Sequence, residues 1–276
     1  MAAALAALAS GAAPAGAAPA GRQPAAEDLV KLRLVADRSA IAAGAALTVA
    51  ARFDIAPGWH IYWVNPGEAG LATEAAFSAP AGFDVGPVRY PGPVRFQTPG
   101  ETAASYGYSG AAILSSAVKA PAGLAGARNP ARFSVQATWL VCRDVCLRGQ
   151  GGASLDLPIA TRALPARPAN AELFARHRSE LPRRFAELHA ARRWERDAAG
   201  AALLVTVPRA DKVEYFPPSG EDFQLASQGA APARDGATLL RLVYKPGFAP
   251  ARARGVLAVT SGAEKRYYAL DLEEAP

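Results

Sequence analysis

The stretch Pro57-Gly58-Trp59-His60-Ile61-Tyr62-Trp63-Val64-Asn65-Pro66-Gly67 decides the architecture. In an extended chain alternate side chains point to opposite faces, so Trp59, Ile61 and Trp63 share one face and His60, Tyr62 and Val64 the other. Rings on both faces need cover on both, which marks a central strand, and the Asn-Pro-Gly that follows favours a turn. Working outward, residues 29–35 alternate apolar with charged side chains. Residues 46–53 do so more loosely after the Ala43-Gly44 turn. This is the pattern of a half-buried antiparallel sheet. Pro80, Pro87, Pro91, Pro93 and Pro99 then break the chain into short segments, until strand-like runs return at 111–118 and 131–141. About eight strands in about 130 residues predict a β-sandwich.

After Pro158 the texture changes. Residues 170–194 are charged and helical in spacing, with Phe174, Leu181, Phe185 and Leu188 on one stripe and Pro182 starting a second helical turn or kinking the first. Strand patterns resume at 202–207, 223–227, 238–244, 255–260 and 266–272, in a second, smaller β-domain without cysteine. The predicted fold is all-β, with two sandwiches joined by a short helical connector. The predicted divisions are 1–26, 27–160, 161–195 and 196–276. The 25 Gly and 23 Pro suit many short strands joined by turns, and 276 residues that are 51% hydrophobic can bury a core without help from a metal or a disulfide.

Residues 1–26 are almost entirely Ala, Gly and Pro and cannot build a packed core. The short apolar run at 2–9, followed by the small-x-small site Ala18-Pro19-Ala20, reads as a signal peptide or a disordered arm, although no Lys or Arg precedes it. Downstream, no run approaches the roughly 18 to 20 apolar residues of a membrane-spanning helix. The net charge of +6 gathers between Arg162 and Arg196, where nine Arg face four Glu without interleaved aromatics. That is a solvated helix face, and it predicts no nucleic-acid partner.

Only two cysteines occur, in Cys142-Arg143-Asp144-Val145-Cys146. Random placement would bring two cysteines this close only roughly 3% of the time. On a straight strand positions i and i+4 lie roughly 13 Å apart, whereas a disulfide needs Cβ atoms about 3.8 Å apart, so the three intervening residues must turn if the pair closes. As a staple, so short a loop is worth about 2 kcal/mol, against nearly 5 for a loop of about 100 residues. A redox pair instead uses one thiolate to attack a partner disulfide and the other to resolve the mixed intermediate. A metal role needs further ligands, and His60, His177 and His189 show no recognisable spacing toward the pair. The residues leave redox, structural and metal roles open. Hydrolase motifs such as Gly-x-Ser-x-Gly, a phosphate loop or His-Glu-x-x-His do not occur.

The combination of Gly58-Trp59-His60-Ile61-Tyr62-Trp63, Asn65-Pro66-Gly67-Glu68-Ala69-Gly70, Tyr106-Gly107-Tyr108 and Trp139-Leu140-Val141-Cys142 with Cys146 resembles the N-terminal periplasmic domain of the thiol:disulfide interchange protein DsbD. It is most similar to the branch that includes the suppressor-of-copper-sensitivity protein ScsB, and the resemblance spans roughly 28–160. It implies an immunoglobulin-like sandwich, exported to the periplasm, that takes electrons from a thioredoxin-like domain and passes them to oxidised periplasmic proteins. No cofactor or metal is implied. Cys142 and Cys146 carry over as the redox couple, with Cys146 as the nucleophile. A cap loop with an aromatic residue shelters the pair in the family, and it falls at 95–108 here, making Phe96, Tyr106 and Tyr108 candidates for the cap or for partner contact. Full-pathway relatives add a membrane domain and a Cys-x-x-Cys thioredoxin-like domain, so the thioredoxin-like partner and the membrane electron donor are expected in trans. The three-residue spacer is shorter than in the best-known relatives. The alternative is a non-catalytic binding module, copper-binding or related to copper tolerance, with a structural disulfide. Copper tolerance and cytochrome c biogenesis are the processes the resemblance implies.

Overall fold

The computed structural model describes residues 24–97, 104–124, 126, 128–197, 200–218, 225–246, 248 and 252–273. The predicted signal or arm at 1–26 therefore lies almost wholly outside the described residues. One helical turn, α1 (Ala26–Leu29), leads into β1 (Val30–Ala36) and β2 (Ala46–Ile55). The aromatic stretch forms β3 (His60–Gly67), and β4 (Glu74–Ser78), β5 (Asp84–Val85) and β6 (Val94–Phe96) follow. Then come β7 (Ser105–Ser109), β8 (Ala111–Lys119), β9 (Ala131–Cys142) and β10 (Cys146–Leu157).

Two sheets face each other, one ordered β1-β2-β8-β5 and the other β10-β9-β3-β7-β6, with β4 pairing β9 beside β3. As its two-faced aromatic pattern requires, β3 is internal. Trp59, Ile61 and Trp63 enter the core between the sheets, where Phe53 and Trp139 meet edge to face at 5.9 Å. The expected Asn-Pro-Gly turn is a kink inside β3: Gly67 N–H donates to Asn65 Oδ1 at 3.0 Å, and the register to β7 jumps between Tyr62 and Gly67.

No strand was expected over β10, which carries Gly149, Gly151 and Gly152, a residue type that weakens a strand interior. Packing gives the reason for two of them. A Cβ at Gly149 would lie 2.4 Å from Trp139 Nε1, and one at Gly151 3.2 Å from the same ring. The glycines make room for a core tryptophan beneath a continuous 12-residue ladder.

The helical connector is shorter than its pattern. Helix α2 (Ala171–Glu180) stops just before Leu181-Pro182, as the residue before proline disfavours helix. The two-residue β11 (Arg183–Arg184) and a 3-10 turn at Phe185–Leu188 follow, and β12 (Ala191–Asp197) is already a strand of the second sandwich. The apolar stripe is divided. Phe174 packs on Ala50 and Ile113 of the first sandwich, while Phe185 and Leu188 enter the core of the second.

That second sandwich comprises β13 (Gly200–Val207), β14 (Lys212–Phe216), β15 (Leu225–Pro232), β16 (Thr238–Tyr244), β17 (Arg252–Ser261) and β18 (Glu264–Glu273). Its sheets run β11-β18-β17-β14 and β12-β13-β16-β15. The strand expected at 223–227 falls partly outside the described residues and runs on to Pro232. The two sandwiches share apolar contacts. Phe216 meets Tyr106 edge-on at 5.2 Å and Trp63 at 6.3 Å, and Asn65 Nδ2 donates to Pro217 O at 2.9 Å. Tyr267 donates to Pro93 O at 3.2 Å, with its ring where a side chain at Gly92 would stand. The chain is all-β, with two immunoglobulin-like sandwiches.

Candidate functional site

Cys142 ends β9 and Cys146 begins β10, so Arg143, Asp144 and Val145 form the hairpin loop. The turn that the spacing required is present: the two cysteines are register partners, their Cα atoms lie 4.2 Å apart, and a disulfide joins them. Within the loop, Arg143 N–H donates to Val145 O at 3.1 Å. The two residues differ in access. Cys142 is 2% exposed, whereas Cys146 is exposed and Val145 beside it is 43% exposed.

Strand parity sorts the neighbours of the disulfide. His60 pairs with Cys142 across β3 and β9, so both lie on the outer face of the sheet, opposite the core face that holds Ile61 and Val141. Phe96 pairs with Ser105 of β7, which shares the phase of Ser109, the partner of His60. Phe96 is thus on the outer face too, and its ring stacks on His60 at 4.5 Å and 21°. Tyr62 meets His60 edge-on at 5.2 Å. Burial holds the His60 imidazole below its usual pKa, so it is neutral at pH 7.

Tyr106 and Tyr108 have the opposite parity. Both are buried in the core; Tyr108 donates its hydroxyl to Pro91 O at 2.9 Å, and Tyr106 packs on Phe216. Of the three aromatic cap candidates, then, the structure brings Phe96 to the face of the disulfide and places Tyr106 and Tyr108 as packing residues. The middle of the expected cap, 98–103, lies outside the described residues.

The charges around the pair divide clearly. Arg143 Nε sits 2.7 Å from Asp144 Oδ2, and its guanidinium lies over the Trp59 ring at 5.0 Å. Gly58 beside Trp59 has a φ of +79°, which favours glycine, and the Arg143 side chain packs at ordinary contact distance, 3.5 Å from where a Cβ would be. With Arg143 and Asp144 neutralising each other, Arg148 is the cation left beside Cys146, two residues along the same face of β10. It makes no ion pair among the described residues, and its charge favours a Cys146 thiolate. No group of three or more His, Cys, Asp or Glu suited to a metal occurs among the described residues. Sequence reasoning missed the place of His60 beside Cys142. The one available signal was that His60 shares a face with Tyr62, opposite the two tryptophans.

Residues 29–157 match the family model "Thiol:disulfide interchange protein DsbD, N-terminal". This stretch is a DsbD N-terminal-like domain. It carries the cross-strand disulfide and is a thiol-disulfide exchange module. Among solved structures, the N-terminal periplasmic domain of ScsB from Proteus mirabilis matches with a TM-score of 0.61 at 17% identity, covering 88% of this chain and 93% of that one. The DsbD-type fold and the sandwich after it are therefore shared with that protein. A chimeric titin Z1Z2 (TM-score 0.19, 11% identity, 90% and 96% covered) and a marsupial T cell receptor (0.18, 13%, 87% and 95%) are too distant to bear on this DsbD-type domain. No curated protein matches the chain. Among the described residues no helix is long and apolar enough to cross a membrane.

Proposed function

We propose that the chain is a periplasmic thiol-disulfide carrier, passing reducing equivalents from a thioredoxin-like donor to oxidised periplasmic proteins through Cys142 and Cys146. Residues 27–160 form the redox unit, with 161–195 and 196–276 holding it. The observation that carries this reading is the asymmetry of the pair: one buried cysteine and one exposed cysteine, bridged at the tip of a hairpin on a rigid sandwich.

In the reduced chain, the Cys146 thiolate attacks a disulfide of the oxidised protein. A Cys146 Sγ–S bond forms, the partner's S–S bond breaks, and one partner thiolate leaves. Cys142, deprotonated, then attacks Cys146 Sγ; the Cys142–Cys146 bond forms and the second partner thiolate leaves. Two electrons have moved to the partner. The same steps in reverse, driven by a reduced thioredoxin-like protein, restore the dithiol. Arg148 assists by favouring the first thiolate, and Phe96 on His60 covers the face from which Cys142 would otherwise be reached. A membrane electron source keeps the thioredoxin-like donor reduced, and copper tolerance or cytochrome c biogenesis is the process served.

The test is the midpoint potential of the pair, obtained by equilibrating the protein in glutathione buffers and counting free thiols. A midpoint above about −300 mV is expected; one well below it makes the bridge a structural staple and ends the carrier reading.

A further inference from the structure

The hydrogen-bond phase around the disulfide leaves backbone groups open beside the exposed cysteine. The Tyr62 carbonyl accepts from Thr73 N–H at 3.3 Å, on the side of β3 away from β7. With a period of two, the His60 backbone faces that same side, toward its register partner Cys142. The N–H and C=O of Cys142 are thus directed at β3. Cys142 and Cys146 then face each other as a pair without mutual backbone bonds, in keeping with their 4.2 Å Cα separation.

The backbone groups of Cys146 therefore point away from β9, and so do those of Arg148 and Gln150. Gln150 bears this out independently, because its N–H donates outward to Glu27 Oε1 at 3.2 Å. β10 is the outermost strand of its sheet. Glu27 caps the edge at Gln150, while at Cys146 and Arg148 no intramolecular partner meets the outward N–H and C=O among the described residues. Alongside lies a groove of about 460 Å³, bounded by Glu27, Leu71, Thr138, Arg148 and Gly149, with Leu71 42% exposed.

We propose that this open edge is the docking site for an extended, cysteine-bearing segment of the redox partner, which adds to β10 as a further strand. Outward N–H and C=O groups at strand spacing are matched by another backbone, and the adjoining sulfur selects a segment that carries a cysteine. Paired at Cys146 and Arg148, the incoming strand holds its own sulfur at Cys146 Sγ. A side chain of the segment lies in the groove between Leu71 and Arg148. This inference rests on the exchange function proposed above and assigns its recognition element.

The test uses the full chain carrying Cys142→Ser, so that Cys146 alone reacts. The probes are an eight-residue peptide whose single cysteine is a mixed disulfide with thionitrobenzoate, the same peptide N-methylated at alternate backbone positions, and glutathione activated in the same way. Attack by Cys146 forms the protein–peptide disulfide and releases the coloured thionitrobenzoate thiolate. The unmethylated peptide is expected to react about tenfold faster than its methylated form, as one or two backbone hydrogen bonds allow. Adding Arg148→Pro, which removes an outward N–H and no bond to β9, should bring that ratio close to one, while Arg148→Ala should leave it unchanged. A rate with activated glutathione equal to that of Arg148→Ala, which lacks the same charge, shows that the hairpin of the proline variant is intact. Equal rates for the two peptides on the Arg148-containing protein overturn the docking proposal and leave the exchange function standing; a Cys146 inert to all three probes sinks both. A concentration-dependent dimer lost in Arg148→Pro, with no preference between peptides, assigns the edge to a second copy of the chain and also overturns the proposal.

Discussion

At the scale of single residues, the difference in access between the two sulfurs sets the order of events. Cys142→Ser leaves a thiol that is open to solvent, and Cys146→Ser leaves one at a residue only 2% exposed. The first variant should react with an aromatic disulfide reagent at least about tenfold faster than the second, since reactivity follows access and thiolate fraction. Comparable rates would mean that Cys146 is not the attacking sulfur. Because Arg143 is paired with Asp144, the cation that matters is Arg148, and Arg148→Glu should slow the Cys142→Ser thiol by roughly twofold to fivefold at low salt, the effect shrinking at about 1 M salt. Gly149 tests the packing under the hairpin. An added methyl would sit 2.4 Å from Trp139 Nε1 and 2.9 Å from Ala26 Cβ, so Gly149→Ala should cost about 1–3 kcal/mol in urea unfolding.

At the scale of elements, α2 is tied to the first sandwich by a buried imidazole. His177 is 1% exposed, with Nε2 2.7 Å from Ser115 Oγ on β8. Desolvation first, then the nearby Arg89 and Arg178, lowers its pKa to about 4. The unfolded chain takes up a proton below about 6.5, and the folded chain resists until about 4. This contribution is therefore intact above about pH 6.5 and is lost progressively as pH falls toward 4. It amounts to roughly 3 kcal/mol at most. Urea midpoints from pH 7 to 4, compared with His177→Gln, should show the variant with the flatter profile; parallel profiles would mean that the imidazole does not stay neutral in the fold. The elements also show what a linear pattern can and cannot reveal. Where strands alternate cleanly the expected limits were close to the observed ones, as at β16, Thr238–Tyr244. β10 was hidden because its glycines answer to Trp139 on another strand. The stripe from Phe174 to Leu188 looked like one helix face, yet it serves two cores. The cysteine pair was visible from spacing alone, whereas the place of His60 beside it depends on a register between distant strands. Phe96 looks no different from Tyr106 and Tyr108 in the sequence, and only the β6–β7 pairing separates them into opposite faces.

At the scale of the whole molecule, the cysteine-free sandwich acts as a brace for the one that carries the sulfurs. Phe216, Val256, Ala258 and Tyr267 belong to the second sandwich in sequence but pack in the core cluster of the first. Trp63 and Tyr106, which touch Phe216, lie on β3 and β7, the strands that also hold His60 and the partner of Phe96. Removing the Phe216 ring leaves a cavity at that junction and should cost about 3–5 kcal/mol. Because the cluster is shared, the loss should be felt by both sandwiches, so Phe216→Ala is expected to shift a single cooperative urea transition rather than split it. Tryptophan fluorescence follows the first sandwich through Trp59, Trp63 and Trp139, and the second through Trp194; replacing Trp194 by Phe separates the two signals. The disulfide lies across the sheet from this junction, so its rate of reduction by dithiothreitol in the folded variant should match the parent. Two separate transitions, with the first sandwich unfolding at its original midpoint, would show that the shared cluster carries no stability and that the second sandwich does not brace the redox unit.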